Sequence, residues 1–488
     1  MAAPDPGQPG PAEHWDAVVV GGGVAGLVAA RDLAASGLRT LVVEAREVVG
    51  GAVGRHVVAG LTLDSGAESF ATRGGAVAEL ALELGVGERV VRPEPRGAWV
   101  QLAHGAGPLP RAGVLGIPTD PWAADVRQTV GTLGAVRASV DRMLPAWWGA
   151  RGGDEVSLGS LVRRRMGPRV LERLVRPVVA GVHAADPDDL AVDAVAPGLR
   201  AALAQQGSLA GAVRSLRAAA PAGSAVAGFD GGLHVLVDAL AADLAGRAGQ
   251  IRTGVRVVAV RQLALAAEPP SFEVVTEDAE GAAGLLRADR LVVATPAAVG
   301  LLAGVAPQMA GVVLDPGAEV VLVALVLDAP ALDAAPRGTG VLTSPAVQSQ
   351  ARGVRAKALT HGTAKWAWLA AAAGQGRHVV RLSYGVAGDD PGPRALPDDE
   401  LTALALRDAS TLLGTRLGAD QLVASARVVW SQSLPRPSAS HREAVARVRA
   451  AVAPTPGLAV CGAWVAGNGL ASVVPDARAA TRDLLGRQ

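Results

Sequence analysis

Gly21, Gly23 and Gly26, with Glu44 downstream, carry the clearest chemistry in this sequence. Each fits a step in holding a dinucleotide. Gly21 permits a tight turn out of a strand, and Gly23 leaves room for a pyrophosphate against the backbone. Gly26 lets a helix pack closely on a sheet. The helix N-terminus then offers unpaired N–H groups to phosphate. Glu44 lies about 20 residues past the glycines, where a carboxylate accepts from ribose hydroxyls. A Gly-rich turn without a ligand is the plain alternative.

The elements needed to position these residues can be read around them. Asp16–Val20 is apolar enough for a buried parallel strand. Gly22, Val24 and Ala25 complete the turn, a helix spans about Ala25–Ser36, and Leu38–Val43 forms a second strand. Glu44 closes that strand. A glutamate there repels the 2′-phosphate of NADP.

Composition removes other classes of function. The chain has 488 residues, enough for two or more domains. Half of them are hydrophobic, which argues against disorder. A formal net charge of +1 implies no nucleic-acid channel. One cysteine, Cys461, excludes a disulfide framework, and the eight histidines show no metal-ligand spacing. No metal is expected, and a reducing cytoplasm is the simplest location. Residues 1–14 are expected to form a loose tail. The strongly apolar run Val320–Leu327 is too short to span a bilayer; peripheral membrane contact stays open.

Further along, helices are expected at Ala76–Leu84, Val126–Met143, Leu158–Val175, His234–Leu244 and Leu401–Leu417. Trp99–Leu109 reads as a hairpin and Gly113–Ile117 as a loop. Strands are expected at Arg252–Val260, Phe272–Glu277, Arg290–Ala294, Glu319–Asp328, Ala356–Thr360, Lys365–Leu369, His378–Tyr384, Val428–Gln432 and Leu458–Cys461. Arg163, Arg164 and Arg165 read as a solvated helix face, the alternative being an approach surface for an anion. Asp476 is placed to cap a C-terminal helix running to about Leu485. Its N-terminal N–H groups, near Val474, suit negative charge.

The segment after Glu44, with Ala45, Arg46, the Gly50-Gly51 pair and Arg55, resembles the extended flavin signature of the amine-oxidase-like flavoproteins. Asp64-Ser65-Gly66-Ala67-Glu68 resembles the family's next flavin-side segment. Arg176–Leu190, Pro110–Asp120, Ala466-Gly467-Asn468 and Val474-Pro475-Asp476 resemble the oxygen-dependent protoporphyrinogen and coproporphyrinogen III oxidases, in the Gram-positive branch. The likeness covers nearly the whole chain after the tail. It implies FAD, held by the residues above with Val257, Thr295, Trp464, Val474, Pro475 and Asp476. It also implies an α/β fold: a Rossmann-like FAD-binding domain, an interleaved mixed α+β substrate domain and a helical subdomain. The expected divisions are 15–84, 222–315 and 426–488 for FAD, 85–221 for the helical, membrane-like subdomain and 316–425 for the substrate sheet.

The implied reaction is a six-electron oxidation of coproporphyrinogen III to coproporphyrin III in haem biosynthesis. Dioxygen is the oxidant and hydrogen peroxide the by-product. The cofactor carries that chemistry, which accounts for the lack of a catalytic triad. Arg73 stands where the family places a carboxylate-binding Arg, and its fork suits a propionate; a solvated Arg at a helix start is the alternative. Arg176 is a second anion contact or a structural ion pair. His441 is a proton acceptor or a core residue. Transient contact with haem-pathway enzymes is a further implication. The chain departs from the family at Pro435–His441, at Ala471 and Ser472, and at His183 and Ala185. Protoporphyrinogen IX oxidation, amine oxidation (although one Tyr and three Phe make an aromatic cage scarce) and non-catalytic flavin binding remain alternatives.

Overall fold

A computed structural model describes residues 12–150, 156–183, 185–219, 225–263, 271–314, 317–348, 353–385, 392–434 and 439–486. Its first sheet has seven strands. Along it run Gly249–Arg252, Thr40–Val43, Glu13–Val20, Ala283–Val293, Ser271–Asp278 and Val255–Leu263, with Leu458–Val460 also pairing with Ala283–Val293. The strands on either side of Glu13–Val20 are parallel to it, and Val20 stands level with both Val43 and Val293. Val18, Val19, Leu41 and Val42 are wholly buried, as a sheet covered on both faces requires. Helix Val24–Ala35 covers one face together with helices His234–Ala245 and Leu470–Gly486.

The second sheet also has seven strands, in the order Leu422–Leu434, Ala318–Asp328, Arg377–Tyr384, Ala358–His361, Gly340–Thr343, Trp99–Leu102 and Gly105–Pro108. Period-two alternation divides its faces. Val321, Val323, Leu325 and Leu327 pack with the apolar side of helix Asp398–Leu413. Ala324 and Val326 face the other way, against Leu63 and Trp366. The expected hairpin therefore forms, but as the edge of this sheet and not as part of a helical unit spanning 85–221. Strand Leu422–Leu434 likewise crosses the expected boundary at 426.

Four expectations give way for local reasons. Leu158–Val175 is not one helix: Leu158–Met166 stops at Gly167, whose φ is +91°, and Pro168 begins the next turn. Gly131, at φ +75°, breaks Ala124–Ser139 in the same way. Lys365–Leu369 is helical, in the turns Gly362–Lys365 and Ala367–Ala373. The Ala-rich run favours a helix, and Trp366 is buried between the turns. Gly113–Val114 and Ile117–Pro118, expected as a loop, make a two-residue antiparallel ladder.

Among the described residues no helix is long and apolar enough to cross a membrane, and no group of three His, Cys, Asp or Glu is placed to hold a metal.

Candidate flavin site

The predicted glycines meet at the end of strand Glu13–Val20. Gly21 turns there with φ +104°. A Cβ on Gly26 would lie 1.9 Å from the Gly21 carbonyl oxygen, so only glycine lets the helix approach so closely. A Cβ on Gly23 would meet nothing nearer than the Gly51 Cα, at 4.0 Å. That open space beside a helix N-terminus is the cradle a pyrophosphate needs.

Glu44 does more than its position suggested. Its Oε2 accepts from the Gly22 N–H at 2.6 Å, and its Oε1 accepts from the Arg46 N–H at 3.0 Å. The carboxylate thus braces the glycine turn and keeps lone pairs for a ribose. The Gly22 N–H is consequently committed before any phosphate arrives. Ala45 and Arg46 follow on the exposed side, and the Arg46 guanidinium lies 4.9 Å from the Trp430 ring.

Backbone hydrogen bonds bring the next two segments alongside. The Gly50 N–H donates to the Gly22 carbonyl at 2.8 Å, and the Ala67 N–H to the Ala52 carbonyl at 2.9 Å. Gly66 fits only as glycine, since its Cβ would lie 2.1 Å from the Ala52 oxygen. Arg55 donates to Asp238 at 2.5 Å on an exposed surface. Thr295 closes over the turn, its Cβ 3.0 Å from where a Gly21 side chain would begin. Val257 is buried beside a bulge in its strand, two residues after the Val255 N–H that donates to the Glu44 carbonyl.

Glu68 is held in a largely buried ion triad that the sequence did not reveal, its side chains 15–17% exposed. Lys365 Nζ lies 2.6 Å from Oε1 and Arg381 Nη2 lies 3.0 Å from Oε2. Burial opposes ionisation, but Lys365 and Arg381 together overcome it and hold the carboxyl at about 2. Arg381 Nη1 also donates to the Gly66 carbonyl at 2.7 Å. The triad therefore pins the Gly66–Glu68 segment to the second sheet.

The closing segment differs from expectation. Its helix begins at Leu470, and Pro475 lies inside it. Asp476 is therefore no cap; it sits in the second turn and accepts from Arg449 at 2.5 Å. The helix-end N–H groups belong to the Leu470 turn, whereas Val474 is wholly buried. Before it, Gly467 and Gly469 have φ of +84° and +99°, and a Cβ on either would meet open space. Trp464 is buried, and its Nε1 has no hydrogen-bond partner among the described residues. His441 Nε2 donates to the Trp464 carbonyl at 2.9 Å, which gives this histidine the form of a strut. Pro435–Ser438, where part of the departure from the family falls, lies outside the described residues.

Arg73 reaches this segment. Its Nη2 donates to Ser472 Oγ at 3.2 Å, in the first turn of the closing helix. Arg176 is taken up by acids of its own region. Glu172 holds its fork at 2.8 and 3.1 Å, Asp188 accepts at 2.8 Å and Asp186 completes the group. Three carboxylates outnumber its charge, so it offers no net attraction to a propionate, and of the two readings of Arg176 the geometry supports the structural ion pair. The Arg163–Arg165 run splits because successive helical residues point about 100° apart. Arg163 pairs with Asp188 at 2.7 Å, while Arg165 is fully buried against Asp141 at 2.5 Å.

The turn at Gly21, the space at Gly23 and the open loop at Gly467 and Gly469 fit a dinucleotide lying across the strand ends. The unpartnered Trp464 Nε1 adds a buried donor close to that loop. Comparison with known proteins agrees. The chain belongs to the flavin-containing amine oxidoreductase family, whose model matches residues 24–482. It is 30% identical to the coproporphyrinogen III oxidase of Mycobacterium leprae, over 93% of this chain and 95% of that one. A solved structure from Exiguobacterium sp. 255-15, provisionally assigned as a protoporphyrinogen oxidase, superposes with a TM-score of 0.79 at 24% identity, covering 98% and 99% of the two chains. Cyclohexylamine oxidase from Brevibacterium oxydans shares the fold at 15% identity with a TM-score of 0.62, over 97% and 99%. The fold is that of the flavin-dependent oxidases.

Proposed function

We propose that this protein binds FAD and uses dioxygen to oxidise a porphyrinogen, with coproporphyrinogen III as its substrate. The observation that carries this reading is the meeting of Arg73 with the start of helix Leu470–Gly486, beside the open glycine loop. An anion-binding fork there suits a propionate on a substrate placed over the cofactor. The full-length likeness to the mycobacterial coproporphyrinogen III oxidase supports the choice of substrate.

FAD, when bound, supplies the electron-accepting ring, two electrons at a time. The chain's own residues hold and orient. The Gly21–Gly26 turn would take the pyrophosphate, and Glu44 the ribose. The Gly50–Gly51 and Gly66–Ala67 backbones would flank the flavin. The Leu470 turn would favour negative charge with its helix dipole. Pyrrole N–H protons need no strong protein base, because aromatisation drives their loss. His441, tied to the Trp464 carbonyl, is not asked to take them.

Protoporphyrinogen IX is the second reading, favoured by the cation arrangement. Arg163, Arg165 and Arg176 are each paired with carboxylates, so they do not add to Arg73 in neutralising four propionates. A substrate with two propionates asks for less positive charge. Side-by-side kcat/KM measurements under air, at matched ionic strength and followed by porphyrin fluorescence, decide between them. A higher value for coproporphyrinogen III is expected; a clear preference for protoporphyrinogen IX reverses the assignment. Oxidation of neither by an FAD-loaded, oxygen-reactive enzyme would refute the proposal.

A further inference from the structure

A cleft of about 620 Å³ opens at the far edge of the second sheet, within the size range of small-molecule sites. Trp99, Pro108 and Leu109 form its apolar wall, and the N-terminal turn of helix Ala124–Ser139 forms one end. Trp99 stands level with Val341 and shares its face with helix Asp398–Leu413. Arg381 and Ala324 project from the opposite face, toward Asp64–Glu68. The sheet thus separates this cleft from the candidate flavin site.

Its charges are unbalanced. Arg96 and Arg111 line the cleft, are exposed, and make no ion pair among the described residues. The guanidinium of Arg337 lies 4.9 Å from the Trp99 ring centroid, and its buried Nη1 has no hydrogen-bond partner among the described residues. Among the described residues one carboxylate, Asp125, lines the cleft, and it accepts from the Arg111 and Val126 backbone N–H groups at 2.9 and 2.8 Å.

We propose that this cleft binds an organic anion with a flat apolar body and two or more carboxylates. The body would lie against Trp99, Pro108 and Leu109, and the carboxylates would take the forks of Arg96 and Arg111. Arg337, stacked on Trp99, would add its field from behind the ring. The inference does not depend on the flavin reading.

The test is equilibrium dialysis of the FAD-loaded full chain with coproporphyrin III as the probe. Wild type is expected to bind one more porphyrin than R96A/R111A, with affinity for that extra site reduced at least about tenfold in the variant. R96K/R111K should weaken the site less, because it keeps the charges and loses the forks. FAD content and turnover should be unchanged in both. Porphyrin still bound by R96A/R111A reports on the flavin site, so failure of the cleft and failure of the proposed reaction are read separately. Equal stoichiometry and affinity in wild type and R96A/R111A would overturn the proposal. So would displacement by equimolar inorganic phosphate, which would show that the apolar wall contributes nothing.

Discussion

Replacing Glu68 by Gln tests the ion triad that joins the two sheets. The substitution keeps the shape and removes the negative charge, leaving Lys365 and Arg381 as unpaired neighbouring cations. Two routes give the magnitude. The carboxyl is held at about 2 against an ordinary 4.5; at about 1.4 kcal/mol per pH unit the gap is worth about 3 kcal/mol. Removing one partner of a buried pair costs roughly 3–5 kcal/mol. Because the folded value is depressed, this contribution is fully present above about pH 4.5 and is lost as pH falls toward 2. Urea unfolding of the FAD-loaded proteins should put E68Q about 3 kcal/mol below wild type at pH 7. The difference should shrink to roughly half of that by pH 3. A difference under about 1 kcal/mol at pH 7, or one that does not narrow with acid, would refute the reasoning.

Gly23→Asp should yield folded protein with almost no FAD after reconstitution, read by chromatography of the released cofactor, because it puts a carboxylate in the open cradle. Gly26→Ala should lose both FAD and stability, read by flavin content and thermal unfolding, since its Cβ would lie 1.9 Å from the Gly21 oxygen. Arg73→Ala should lower kcat/KM for the porphyrinogen about fivefold, as an exposed pair worth about 1 kcal/mol would, with flavin content intact; an unchanged value removes the propionate role. Arg176→Ala should cost about 2 kcal/mol in unfolding measurements, discounted from a fully buried pair because its three partners are half-exposed. KM should stay the same, and a raised KM would restore the substrate contact.

What the sequence made legible was what backbone geometry dictates locally. Gly21, Gly23 and Gly26 could be read because a turn, a close approach and a helix–sheet contact each exclude a side chain. Most strands were legible from runs of Val and Leu. Other features were masked by competing local signals. Pro475 and Asp476 imitate a helix start, yet the helix begins at Leu470 and carries the proline inside it. The three consecutive arginines look alike in sequence, but only Arg165 points inward, where Asp141 waits.

The features that sequence could not show are pairings across long separations. Glu68 and Lys365 lie 297 positions apart, and no periodicity links them. The same holds for Arg73 and Ser472, 399 positions apart. The first pair ties a flavin-side segment to the second sheet, and the second ties the proposed anion contact to the closing helix. Glycine spacing thus specifies where a dinucleotide can lie. The proposed placement of a substrate over it would depend on side chains that meet only after both sheets have formed. Losing Glu68 should therefore disturb alignment between the sheets before it disturbs the glycine turn, whose own bracing by Glu44 is local and independent of the triad.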